Sequence, residues 1–86
     1  MKYVIDIPEY NPTEGLRLEW DINFRISTKV DDSGTIIISA NSQGLTSLAR
    51  HLLVLAQSSV PTGHHVHLDT SNSLEEGSQE LILERE

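Results

Sequence analysis

The chain has 86 residues, no cysteine, and thirteen acidic against six basic residues, a net charge of −7 with histidine counted as neutral. This length holds one domain (residues 1–86) around one small core, and the lack of cysteine excludes disulfide frameworks and thiolate metal sites. The acid disfavours unassisted binding to nucleic acid or an anionic membrane and favours a cationic partner.

Lys2–Ile7 alternates and reads as a short strand ended by Pro8. It meets Asp6, Pro8 and Glu9 too soon for a signal peptide, and no stretch has the length of a membrane span, so the expectation is a cytoplasmic protein. The segment through Gly15, with two prolines and an asparagine, reads as a turn-rich connection in which Tyr10 lies against the sheet rim.

From Leu16 the apolar residues Leu16, Leu18, Trp20, Ile22, Phe24 and Ile26 all fall at even positions, the signature of a long half-buried strand. At about 3.4 Å per residue it would be roughly 37 Å long, more than one helix can cover, so it is expected either to bend at a bulge or to have one end covered by something else, such as the N-terminal strand's connection or a second molecule. Asp31–Gly34 (DDSG) has the composition of a tight hairpin turn, and Thr35–Ala40 continues as a strand with Ile36, Ile38 and Ala40 inward and Ile37 outward.

Residues 41–58, NSQGLTSLARHLLVLAQS, form the one segment with helical apolar spacing. Placing successive residues 100° apart gathers Leu45, Leu48, Ala49, Leu52, Leu53, Leu55 and Ala56 on the face expected to be buried, with Ser47, His51 and Val54 on the other side. Asn41 is placed to cap the helix, and Gly44 in its first turn suggests close approach of another backbone or of a ligand. After the break at Val60–Gly63, His65–Asp69 resumes alternation with Val66 and Leu68 inward and His65, His67 and Asp69 outward. Leu74 is the buried candidate of the next loop; Glu80–Glu84 makes a last strand, after which Arg85 and Glu86 fray. The sum is an α+β fold of two layers: a predominantly antiparallel sheet of about five strands with one long helix on one face.

No catalytic constellation emerges: there is no phosphate-binding glycine loop, no cysteine nucleophile and no nucleophile elbow. The densest chemistry is GHHVHLD, where His65, His67 and Asp69 at alternate positions offer imidazole and carboxylate to zinc or a similar metal. The ordinary reading of the same residues is a solvated outer strand face, so no metal or cofactor is assigned.

Three blocks, GLTSLARHLLVLAQ at Gly44–Gln57, VPTGHHVHLD at Val60–Asp69 and SLEEGSQELILE at Ser73–Glu84, resemble the immunity protein 32 family of bacterial polymorphic toxin systems. The resemblance implies a non-enzymatic antidote that binds and neutralises a cognate toxin domain. An acidic antidote suits a basic, nuclease-type toxin. The outer residues Asp21, Arg25, Ile37, His65, His67 and Asp69, with the loop acids Glu75 and Glu76, are the candidate contacts. The alternative is a small homo-oligomer, a homodimer in its simplest form, that binds a metal or ligand through His65, His67 and Asp69.

Overall fold

A computed structural model describes residues 1–86. It contains β1 (Ile26–Val30), β2 (Ile36–Ala40), α1 (Ser42–Ala56), β3 (His65–Leu68) and β4 (Leu81–Glu84). The α+β class holds, but the sheet of about five strands resolves into two antiparallel hairpins, β1–β2 and β3–β4. Ile26 faces Ala40 and Thr28 faces Ile38 in the first; Val66 faces Leu83 and Leu68 faces Leu81 in the second.

The two hairpins are joined through the loop before β4. The amide of Glu75 donates to Ile26 O at 2.8 Å and that of Gln79 to Thr28 O at 3.0 Å, while the Thr28 amide donates to Ser78 Oγ at 3.2 Å and its hydroxyl to Gln79 O. Residues 75–79 thus cover the edge of β1 that β2 leaves free, and Leu74 is carried into the core beside Ile26, Leu48, Leu55, Val60, Val66 and Leu68.

Neither N-terminal strand forms. Lys2–Ile7 makes no ladder, and the run expected from Leu16 to Ile26 becomes a strand only at Ile26. The period-2 pattern is kept by Leu16, Leu18, Trp20 and Phe24, which pack against the core, but it breaks at Ile22, which is 84% exposed. The cause is a turn: Phe24 N donates to Asp21 O at 3.3 Å, and Asn23 adopts a left-handed φ of 65°, which asparagine tolerates better than most residues. Residues 1–25 therefore form an irregular strap rather than two strands.

That strap explains why α1 is turned from the expected face. Gly44, Ser47, Leu48, His51, Val54 and Leu55 are buried, whereas Leu45, Leu52 and Leu53 are exposed. Backbone without a ladder partner needs other hydrogen bonds, and the helix supplies them: Asp21 N donates to Ser47 Oγ at 2.9 Å, and His51 Nε2 meets Glu19 O at 3.2 Å. Further along, Gln57 accepts from Tyr10 N at 2.9 Å and donates to Pro8 O at 3.0 Å. Polar residues thus face the strap, and part of the leucine arc is left outside.

Asn41 caps α1 as expected, accepting from Gly44 N at 2.8 Å. Gly44 is the point of close approach: a Cβ there would collide with Arg25 O and stand 2.9 Å from Ile26 Cγ1. Arg85 does not fray. Its amide donates to His64 O at 2.8 Å, and its guanidinium reaches Leu55 O and Ala56 O at the helix C-terminus, where cationic groups are favoured. Ile36 and Ile38, expected inward, are 69% and 42% exposed because the hairpin projects beyond the helix, and only Ala40 at its base joins the core.

Candidate partner-binding surface

Both hairpins turn one face to the core and the other outward. On the first, the outward residues are Ser27 and Lys29 of β1 and Ile37 and Ser39 of β2, with Arg25 just before β1, and residues 75–78 run beside them. Two shallow concavities result. One, of about 330 Å³, is lined by Arg25, Ser27, Ser39, Asn41 and Glu75 among others. The second, of about 240 Å³, is lined by Lys29, Ile37, Glu76 and Ser78 and shares Ser27 and Ser39 with the first. Four of the sequence candidates, Arg25, Ile37, Glu75 and Glu76, are therefore brought to one continuous surface. Ile37 is half-buried in this groove, not an isolated exposed residue.

Glu75 and Glu76 are exposed and take part in no ion pair, which leaves their charge available to a partner. They belong to a concentration of acid: residues 69–86 hold six carboxylates and one arginine, whereas residues 33–68 hold no carboxylate at all.

The second hairpin gathers His67 and Asp69 with a residue that sequence reasoning did not single out. His67 Nε2 lies 3.9 Å from Asp69 Oδ2 and 3.5 Å from Glu80 Oε2, and one ligand atom from each of the three falls within 4.8 Å of the others. Asp69 is held by its other oxygen, which accepts from Ser71 N at 2.8 Å and Asn72 N at 3.1 Å, so Oδ2 is left directed at the imidazole. Glu80 was available from the sequence as the first residue of the last expected strand. Antiparallel pairing of that strand with His65–Asp69 sets it opposite Asp69, one step beyond the Leu68–Leu81 pair. His65 stands outside the triad, with its own Nδ1 3.3 Å from Gly63 O.

Asp21 is placed elsewhere. Arg50 Nη1 donates to its Oδ1 at 2.9 Å, and the pair, mostly shielded on the arginine side, ties the strap to α1. The one buried group that shifts is His51, whose pKa is lowered by desolvation first and by the neighbouring Arg50 charge, against a raising hydrogen bond to Glu19 O.

The model of the Immunity protein 32 family matches residues 35–86, from the residue before β2 through β4. The chain belongs to the Immunity protein 32 family. No curated protein matches it, and no solved structure does. An immunity function and, in general terms, a toxin partner follow from the family. No helix is long and apolar enough to cross a membrane. The strap and β1 lie outside the matched residues although Ile26 of β1 is fully buried in the shared core.

Proposed function

We propose that this chain binds a cognate toxin domain of a bacterial polymorphic toxin system in the cytoplasm and neutralises it by occupancy, without catalysis, and that the toxin offers a basic, nuclease-type surface. The family membership carries this reading. The chemistry of the outer face supports it: Glu75 and Glu76 are unpaired acids on a backbone fixed to β1, beside the Arg25–Ile37 groove and continuous in sequence with the acid-rich 69–86 segment. Unpaired surface acid raises the encounter rate with a cation-rich partner and penalises acidic ones. His65, His67 and Asp69 extend the contact surface along β3, and Asp21 contributes at the strap. The chain acts as a single domain in this role.

The test is a titration against the toxin domain encoded beside this gene, with toxin activity read in the same samples at several salt concentrations. Stoichiometric loss of activity, with an association rate that falls steeply with salt, is expected. Folded partners that fail to associate would sink the reading, and binding with a flat salt profile would remove the basic toxin surface from it.

A second reading, a divalent-metal site, is favoured by one observation, the convergence of His67, Asp69 and Glu80. Nitrogen and carboxylate ligands suit zinc. A melting temperature raised by zinc in the parent, retained in His65→Ala and lost in Glu80→Gln, would establish it; no zinc-dependent shift in the parent would remove it.

A further inference from the structure

The two outer edges of the β1–β2 ladder are treated differently. Asp31 N donates to Thr35 O at 3.0 Å and Asn41 N to Arg25 O at 3.1 Å, which fixes the alternation: odd-numbered residues of each strand bond to the other strand, and even-numbered ones point their N–H and C=O groups away from it. On β1 these outward groups belong to Ile26 and Thr28, and residues 75–79 satisfy them. On β2 they belong to Ile36 and Ile38, and no backbone or side-chain group bonds to them. Natural edge strands are guarded by lysine, proline, a bulge or a covering segment. β2, sequence IIISA, has none of these, and its two outward isoleucines are 69% and 42% exposed.

We propose that the free edge of β2 pairs antiparallel with β2 of a second copy of this chain, converting two two-stranded hairpins into one four-stranded sheet. Three features select this occupant. An antiparallel pair of identical strands is self-complementary about a two-fold axis, and an axis at Ile38 sets Ile36 opposite Ala40 of the other copy. The approach is electrostatically permitted here, since residues 33–42 carry no charge in a chain of net charge −7, so no like charges are set against each other across the seam. A cation-rich partner would find no carboxylate on this edge to select it. The addition also supports the distal end of the hairpin: residues 75–79 bond to β1 only as far as Thr28, and beyond it Val30 is 53% exposed beside Ile36 at 69%, a two-stranded stretch that is marginal alone. The seam uses the backbone edge of β2 at Ile36 and Ile38, whereas the groove of Arg25, Ile37, Glu75 and Glu76 lies on the outward face of the same hairpin, and the pairing does not depend on the identity of the toxin.

A seam of five residues is small, so the dimer is expected to be concentration-dependent. The full chain is measured by analytical ultracentrifugation up to about 1 mM, the affinity range of small transient interfaces, alongside amide hydrogen exchange. A dimer with protection of the Ile36 and Ile38 amides that grows with concentration is expected. Ile38→Lys places a guarding charge on the seam and Ile38→Pro removes one outward N–H while sparing the β1 pairing, so both should yield folded monomers. A chain that stays monomeric throughout overturns the proposal. So does a dimer that survives Ile38→Lys, which would implicate the exposed Leu45 and Leu52 of α1, or protection of these amides only when toxin is added, which would make the occupant a toxin strand.

Discussion

The imidazole of His51 meets the indole of Trp20 edge-on, with centroids 4.2 Å apart and planes at 78°. Trp20 stacks in turn on Phe24 at 4.5 Å, so a helix histidine sits at the centre of the contact between α1 and the strap. His51 is fully buried, and because a carbonyl can only accept, its Nε2 carries the proton that is shared with Glu19 O while Nδ1 has no partner.

This histidine makes stability depend on pH in a definite direction. Desolvation holds its folded pKa below the ordinary value of 6.5, so the unfolded chain takes up a proton first as pH falls. The contribution is complete above pH 6.5 and is lost as pH falls from there through the folded value. The parent melting temperature should therefore drop between pH 7.5 and 5.5, and His51→Leu should flatten that slope. An unchanged slope in the variant would show that the dependence arises elsewhere.

Asn41 holds three pieces of chain at once. Its Oδ1 accepts from Gly44 N and from Arg25 N at 3.0 Å, and its Nδ2 donates to Asn23 O at 2.9 Å. Asn41→Ala removes a helix cap and two tertiary bonds, an expected loss of roughly 2–3 kcal/mol. Asn41→Asp keeps the acceptor and should cost less. Urea unfolding of the two variants tests the order, and equal losses would show that only the Nδ2 bond to Asn23 matters.

Gly44→Ala sets two opposing effects against each other. Alanine gains about 1 kcal/mol of helix propensity, but its methyl group would drive into the Arg25 carbonyl, and overpacking against backbone costs typically 1–3 kcal/mol. A net destabilisation is expected because the Arg25 backbone, at the entry to β1, is also held by Asn41 through both its N–H and its carbonyl and cannot retreat. A stabilised variant in thermal unfolding would show that β1 yields.

Glu75→Lys with Glu76→Lys should leave the fold intact, since both side chains are exposed and unpaired. With the toxin domain, the association rate at low salt should fall on the order of tenfold, with a smaller effect at high salt. Stopped-flow mixing reads both, and an unchanged rate would place the toxin contact away from this loop.

The strands nearest the turns were legible because local chemistry dictates them: DDSG closes β1–β2, and alternation around Val66 and Leu68 and around Leu81 and Leu83 marks the β3–β4 hairpin. The start of the helix was legible for the same reason, through Asn41. What periodicity could not give was the rotation of α1, because burial of Ser47 and His51 answers the hydrogen-bonding need of a strap that forms no ladder and turns at the left-handed residue Asn23 just before β1. Leucines predict a buried face only when the opposing surface is apolar. At the outer face the candidate residues were legible singly, but their grouping depended on where residues 75–79 lie, a long-range pairing with β1 that carries no local signal.

Residues 75–79 look like an ordinary acidic loop, yet their backbone is bonded to β1 at the buried residues Ile26 and Thr28. Loops of this composition usually lose conformational freedom when a partner closes on them, and that loss is subtracted from affinity. Here the ordering of the main chain is completed during folding, when Thr28 and Ile26 take up their bonds to it. Association then has to restrain only the carboxylate side chains, so a small interface on this loop can be tighter than its area suggests.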